Sequence, residues 1–277
     1  MAIISCWSSG NSETGKTASI AAITTLLAIN HNYKILVLNT KQNDYSYQDF
    51  YWKEDKTISM INSNSGKTNL ASGISGLSKA ILSNKTSPEI VPIYTKIVFA
   101  NNRLEILSDT NTLDGDYEAQ KKVFTEIAKM ANKYYDLVFI DIDNQLDANT
   151  KNSLLEISDI ILAIIPQKMR NINKYLQEKV ENILFKQKLI IPVIGKYDQD
   201  SKYTTKNIAR YLKEKRGVCT IPYNTLFFEA CNEGNVANYF IKYRSINPKD
   251  KNAIFITKVQ EATEQIIERL KELQMRM

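Results

Sequence analysis

Short apolar runs of strand length alternate with amphipathic stretches along most of the chain. Runs at residues 2–7 and 34–39 flank a stretch in which Ile20, Ile23 and Leu27 recur at helical spacing. Later apolar runs predict strands at residues 104–107, 137–141, 159–166, 189–194 and 218–221. Helices are predicted at residues 70–82, 117–134, 149–157, 171–185, 204–215 and 258–277, and polar residues 60–69 predict a loop. This alternation predicts a single α/β domain over residues 1–277, with a doubly wound, mainly parallel sheet and helices on both faces.

The loop after the first apolar run matches a phosphate-binding motif. Residues 10–17 read GNSETGKT and fit G-x-x-x-x-G-K-[ST], between a predicted strand and a predicted helix. Small residues let backbone N–H groups curl around phosphate oxygens, and the helix N-terminus adds partial positive charge. We predict that Lys16 reaches the terminal phosphates and that the Thr17 hydroxyl ligates Mg²⁺. The predicted nucleotide-binding residues here are Gly10, Asn11, Ser12, Glu13, Thr14, Gly15, Lys16, Thr17 and Ala18. An ordinary turn that matches by chance is the alternative.

A second segment carries carboxylates at the end of a predicted strand. Four apolar residues lead into Asp141, and Asp143 follows two positions later, which is typical of a Walker B strand. Such a carboxylate holds Mg²⁺ or its water shell opposite the phosphate loop. Asp143 is predicted either to position water or to cap the next helix. Lys16, Asp141 and Asp143 are therefore the candidate catalytic residues, and Thr17 and Asp141 are the candidate metal ligands.

Composition is that of a soluble globular protein. The 277 residues are 43% hydrophobic and 24% charged, and no apolar run approaches the roughly 20 residues of a bilayer span. No basic segment precedes the first apolar run, so a signal peptide is not expected. Cys6, Cys219 and Cys231 lack metal-ligand spacing and are predicted to be buried thiols in a reducing compartment. We therefore expect a cytoplasmic protein with no transmembrane segment.

Positive charge is concentrated in one part of the chain. The net charge is +6, yet the stretch from Lys168 to Arg216 contains 13 Lys and Arg residues against 5 Asp and Glu residues. Such a stretch attracts nonspecific DNA or another anionic surface through counterion release. Solvated helix faces in a lysine-rich protein are the alternative, and composition alone leaves both interpretations open.

Two further features suggest packing or partner surfaces. Tyr45, Tyr47, Phe50, Tyr51 and Trp52 cluster after the second predicted strand and form either a partner-binding surface or a packed lid. The amphipathic helix predicted at residues 258–277 has balanced charge, whereas membrane-binding helices are rich in Lys and Arg. It is therefore expected to pack against the domain or against a second subunit.

The order of these motifs resembles the ParA/MinD family of P-loop ATPases over nearly the whole chain. The resemblance includes the phosphate loop, the strand before Asn39, the Walker B residue Asp141 and the strand near Asp159. Residues 221–223 (IPY) and 229–234 (EACNEG) are similar to a stretch near the adenine in that family. The resemblance implies ATP and Mg²⁺ as cofactors and places Lys196, Asp198 and Pro222 near the base.

The chain also departs from the family pattern. Asn11 occupies the position of the signature lysine that reaches the partner subunit's nucleotide, and Ser12 and Glu13 replace two glycines. The family's water-orienting carboxylate follows the second strand, where the nearest residues here are Asn39 and Lys41. We hypothesise that Lys41 compensates part of the missing positive charge. These departures predict slow hydrolysis, because orienting water and stabilising charge are most of phosphoryl-transfer catalysis.

The resemblance implies a homodimer formed with ATP and Mg²⁺ that positions or recruits a partner, in DNA or plasmid partition or in pilus, secretion or conjugation machinery. Atypical relatives of the TadZ and CpaE type act in placing such machinery. A localisation scaffold that is nucleotide-bound or nucleotide-independent, without turnover, is the alternative. The first interpretation predicts a weak ATPase, and the alternative predicts no hydrolysis.

Overall fold

The computed structural model describes residues 1–10, 14–53, 73–84, 87–99, 101, 103–110 and 112–275. Its eight strands are β1 (Ala2–Ser8), β2 (Ile35–Asn39), β3 (Lys96–Ile97), β4 (Leu104–Leu107), β5 (Leu137–Asp141), β6 (Ile160–Pro166), β7 (Leu189–Tyr197) and β8 (Cys219–Pro222). They form one sheet in the order β3-β4-β2-β5-β1-β6-β7-β8. Every pairing is parallel except that of β3 with β4, which is antiparallel. The predicted α/β class with a mainly parallel sheet is confirmed.

Helices cover both faces of this sheet in the part of the chain that is described. They are α1 (Lys16–Asn30), α2 (Ser46–Tyr51), α3 (Gly73–Leu82), α4 (Asp114–Ala131), α5 (Ala148–Glu156), α6 (Met169–Glu181), α7 (Ile183–Gln187), α8 (Thr205–Leu212), α9 (Thr225–Asn232), α10 (Val236–Tyr243) and α11 (Ala253–Gln274). A 3₁₀ helix spans Pro88–Tyr94. One apolar layer includes α1, α10 and α11, and the other includes α3, α4 and α6.

The sheet register brings three strand ends together. Cys6 of β1 and Asn39 of β2 both lie beside Asp141, the last residue of β5. Because these strands are parallel, the loops that follow them leave the sheet at the same edge. The phosphate loop, the residues after Asn39 and the residues after Asp141 therefore converge, as is usual for ligand sites in open α/β sheets.

Several helix boundaries differ from the predictions for identifiable reasons. The helix predicted at residues 171–185 is two helices, because the Asn182 side chain accepts a hydrogen bond from the N–H of Leu184 and starts α7. In helix α3, the Asp109 carboxylate accepts from the N–H groups of Ile74 and Ser75, and residues 70–72 of the predicted helix lie outside the described residues. The loop predicted at residues 60–69 lies outside the described residues.

The final helix begins before its predicted start. Helix α11 spans Ala253–Gln274, and its buried residues Val259, Ala262 and Ile266 join the same apolar layer as α1. Its apolar side thus packs against the domain, which was one of the two predicted alternatives.

Candidate functional site

The phosphate loop leads directly into α1. Gly15 precedes the helix with φ 74°, a left-handed conformation that favours glycine. The Thr14 hydroxyl accepts a hydrogen bond from the N–H of Lys16 at 3.2 Å, which fixes the last turn of the loop. Earlier in the loop, the Gly10 carbonyl accepts from the Asn144 side chain and from the Ser8 hydroxyl. Asn11, Ser12 and Glu13 lie outside the described residues.

Asp141 is the centre of the polar contacts below this loop. Its carboxylate is fully buried, and Lys16 Nζ lies 3.0 Å from Oδ1. The Thr17 hydroxyl donates to Oδ2 at 2.9 Å, and the Tyr47 hydroxyl lies 3.2 Å from the same oxygen. Lys16 Nζ also contacts the carbonyl of Ile142. The predicted residues Lys16, Thr17 and Asp141 thus form one buried cluster.

Tyr47 is a member of this cluster that the motifs did not indicate. Burial and then the charge of Asp141 raise the pKa of Tyr47 well above its ordinary value, so its hydroxyl stays protonated and donates to the carboxylate. Tyr51 is buried as well, and its hydroxyl lies 2.8 Å from that of Thr25. These contacts favour the packed interpretation for both tyrosines, while Tyr45 remains exposed.

The donor set at Thr17 and Asp141 suits Mg²⁺, which prefers hydroxyl, carboxylate and phosphate oxygens. Asp141 Oδ1 is buried and receives no well-aligned hydrogen bond from the described residues, although Lys16 lies close to it. No group of three or more His, Cys, Asp or Glu residues is gathered as a metal site in the described part of the chain. A Mg²⁺ ion held by Thr17 and Asp141 would complete its shell with water or with phosphate oxygens.

Lys41 reaches into the same cluster from the end of β2. Its Nζ donates to the Thr17 hydroxyl at 3.0 Å and lies 3.4 Å from the Asp44 carboxylate. Burial opposes its charge, but the carboxylates of Asp141 and Asp44 outweigh burial and raise the pKa of Lys41 above its ordinary value. Lys41 is therefore a charged lysine at the predicted metal-binding hydroxyl.

A cavity of about 310 Å³ opens beside the phosphate loop. One end is lined by the loop and the start of α1, from Thr14 to Ser19, together with Lys41, Asp143, Asn144 and Lys196. The other end is mainly apolar and is lined by Phe50, Ile221, Pro222, Tyr223, Phe227 and Phe228. A polar end beside a helix N-terminus and an apolar end match the two parts of a nucleotide.

The remaining predicted residues are distributed between this cavity and two neighbours. Lys196 and Pro222 line the cavity beside the phosphate loop, and Asp143 lies between it and a polar cleft that also contains Lys41. Asp198 lines a different cavity, beyond Pro222, and its N–H donates to Gln167. The cap that starts α5 is Asp147 and not Asp143, because Asp147 accepts the hydrogen bond from Thr150 N–H.

The basic stretch from Lys168 to Arg216 spreads over α6, α7, β7 and α8. Lys179 pairs with Glu214 at 2.5 Å, and Arg216 pairs with Glu272 at 2.6 Å. Ion pairs within the domain thus neutralise part of this positive charge. The three cysteines are buried free thiols, and none of the described helices has the length and apolarity to cross a membrane.

The substitution Gly195→Ala tests whether the phosphate loop depends on its close contact with β7. A methyl group at Gly195 would lie 2.6 Å from the Thr14 carbonyl and 3.0 Å from Ile164 Cγ2. We therefore expect Gly195→Ala to displace the loop, to destabilise the protein by about 1–3 kcal/mol and to weaken nucleotide binding about tenfold, although it removes no polar group. Urea unfolding and nucleotide titration measure the two effects.

Gly115→Ala is the matched control for this substitution. A methyl group at Gly115, in the first turn of α4, meets nothing within 4 Å. The nucleotide affinity of Gly115→Ala is expected to equal that of the parent protein. Its stability should be equal or higher, because alanine is a better helix former than glycine. Equal affinities for Gly195→Ala and the parent would show that the loop tolerates the displacement.

Comparison with solved structures finds the same fold in several ParA and MinD proteins. A ParA family ATPase from Chlorobium tepidum TLS is 14% identical, with a TM-score of 0.65 over 92% of this chain and 95% of that chain. The septum site-determining protein MinD from Pyrococcus horikoshii OT3, complexed with Mg-ADP, is 17% identical, with a TM-score of 0.63 over 96% and 97%. A putative plasmid partition protein from Borrelia burgdorferi B31, bound to AMPPNP, is 19% identical, with a TM-score of 0.59 over 98% of both chains.

These similarities are of structure and not of sequence. No protein-family profile and no curated protein sequence matches the chain. The solved structures nevertheless match over more than nine-tenths of this chain and of their own lengths. The chain therefore has the fold of the ParA/MinD-type P-loop ATPases.

Proposed function

We propose that the protein binds ATP, forms a homodimer in the nucleotide-bound state and uses that state to position or recruit a partner. The observation that carries this proposal is the cavity that joins the phosphate loop at one end to the apolar Pro222 and Phe228 end at the other. Its volume of about 310 Å³ is within the range of small-molecule sites. Support for dimerisation and partner recruitment comes from the resemblance in fold.

The residues of the cluster have separable roles in this proposal. Lys16 would exchange Asp141 for phosphate oxygens, which are also anionic and accept charge-assisted hydrogen bonds. The N–H groups at the start of α1 would bind phosphate through the helix terminus. Thr17 and Asp141 would hold Mg²⁺ or its water shell, and the metal would neutralise phosphate charge. The apolar end would exclude water from the base.

We expect slow hydrolysis because of the residue at the end of β2. Asn39 takes the place beside Asp141 at the end of β2, and its side chain donates to Asp44 and accepts from the N–H of Lys41. An amide held in this way is a poor substitute for a carboxylate that orients water. Among the residues that the structure describes, Asp143 is the one carboxylate on the cavity wall. We expect phosphate release at a low rate that falls further in Asp143→Asn.

Light scattering coupled to size exclusion tests the proposal in solution. We expect the parent protein to elute as a monomer without nucleotide and as a dimer with AMPPNP and Mg²⁺, because closure around the triphosphate would join two copies. Lys16→Ala should remain monomeric in both buffers. A parent protein with the same mass in both buffers, at concentrations that saturate binding, would contradict nucleotide-linked dimerisation.

A scaffold that works without nucleotide turnover is the second candidate, and one observation favours it. Lys16 lies beside Asp141, and Thr17 donates to Asp141 and accepts from Lys41, so the charges of the cluster are paired within the chain. A site that is internally paired can stay folded and present its surface without a ligand. Phosphate release indistinguishable from the buffer blank, together with a constant oligomeric state, would support this candidate over the first.

A further inference from the structure

The ammonium of Lys41 donates a hydrogen bond to the Thr17 hydroxyl, which is the predicted Mg²⁺ ligand. Its Nζ lies 3.0 Å from Thr17 Oγ1, at the first turn of α1. A hydroxyl has one hydrogen and two acceptor lone pairs. The hydrogen of Thr17 points to Asp141 Oδ2 at 2.9 Å, so Lys41 takes one of the lone pairs.

Lys41 is held at this position by its own surroundings. Its ammonium is 3.4 Å from the Asp44 carboxylate, and Asp44 in turn accepts from Ser46 and from the Asn39 side chain. The backbone N–H of Lys41 donates to the Asn39 side-chain oxygen at 3.2 Å. The lysine is thus fixed at both its backbone and its charged end, with 30% of its side chain exposed.

The ammonium and a magnesium ion are alternatives at this hydroxyl. Mg²⁺ binds oxygen at about 2.0–2.1 Å and keeps a nearly ideal octahedral shell. A cation 3.0 Å from the same oxygen would crowd that shell and repel the metal. Each cation therefore disfavours the other at the Thr17 hydroxyl.

We propose that Lys41 is a built-in cation that competes with Mg²⁺ at Thr17, so that the protein binds nucleotide with little dependence on the metal. This inference rests on the proposed nucleotide-binding function. Lys41 lines the polar end of the cavity and supplies positive charge to the phosphates from within the same subunit. The charge is therefore present whether or not Mg²⁺ accompanies the nucleotide.

Titration calorimetry with AMPPNP, in Mg²⁺ and in EDTA, tests the inference without reference to turnover. For the parent we expect the two dissociation constants to agree within about threefold. For Lys41→Met we expect the constant in EDTA to rise about tenfold or more, because a charge-assisted contact is lost. In Mg²⁺ the loss of AMPPNP affinity in Lys41→Met should be smaller, because the Thr17 hydroxyl is then free to bind the metal.

Lys196→Met is the matched control, since Lys196 is a second lysine that lines the same cavity. It should weaken binding equally in both buffers and leave their ratio unchanged. Lys41→Gln provides a second variant if Lys41→Met does not fold, as judged by thermal unfolding. A parent protein that needs Mg²⁺ for tight binding, with the same ratio in Lys41→Met, would overturn this inference alone. No AMPPNP binding by the folded parent in either buffer would overturn the proposed function as well.

Discussion

Lys16→Ala is expected to reduce triphosphate affinity by about 100-fold or more. Lys16 is the one lysine of the phosphate loop, and it lines the polar end of the cavity. A charge-assisted hydrogen bond contributes about 1.5–3 kcal/mol, and two such bonds to phosphate oxygens correspond to at least a 100-fold change in the dissociation constant. Equilibrium titration with a fluorescent ATP analogue, on protein shown to be folded by circular dichroism, measures the effect.

Lys121→Ala is the control for this loss of positive charge. Lys121 lies in the neighbouring polar cleft, where it pairs with Glu118 at 2.5 Å. It lies outside the cavity that contains the phosphate loop, so its removal should change affinity by less than about twofold, the size of a screened surface effect. Equal losses in Lys16→Ala and Lys121→Ala would point to general attraction of an anion and not to a phosphate site.

The second large effect concerns stability of the nucleotide-free protein. Lys16 and Asp141 are 4% and 0% exposed and lie 3.0 Å apart. Removing one member of such a buried pair leaves the other charge without its partner and costs about 3–5 kcal/mol. We therefore expect Lys16→Met and Asp141→Asn each to lower the free energy of urea unfolding by an amount of this size.

The double variant distinguishes a true pair from two independent losses. Replacing both members of a buried ion pair with uncharged residues is often close to neutral, because no unpaired charge remains. Lys16→Met/Asp141→Asn should therefore be more stable than the two single losses added together would give. Additive losses would mean that the two charges do not depend on each other for burial.

Much of the fold was predictable because its strands are short apolar runs in an alternating pattern. Helix α2 was not, since six residues are too few to establish helical spacing. The break between α6 and α7 depends on the side chain of Asn182, which periodicity does not register. Strand β3 has two exposed residues and pairs antiparallel at the sheet edge, so it carries no apolar signal.

The candidate site was predictable where its residues belong to local motifs. Lys16 and Thr17 are fixed by the loop, and Asp141 by the apolar strand before it. Tyr47 was missed because its contact with Asp141 joins residues 94 positions apart, and only the sheet order brings them together. The position of Lys41 on the Thr17 hydroxyl follows from the same convergence.

Calorimetric titration of the parent protein with Mg-ATP most directly tests the claim that the cavity beside Lys16 is a nucleotide site. We predict saturable binding of one ATP per chain and displacement of the bound ATP by ADP. The protein should stay folded throughout the titration. Well-folded protein that gives no saturable heat with ATP, ADP or GTP would contradict the account, and the shared architecture would then carry no nucleotide function.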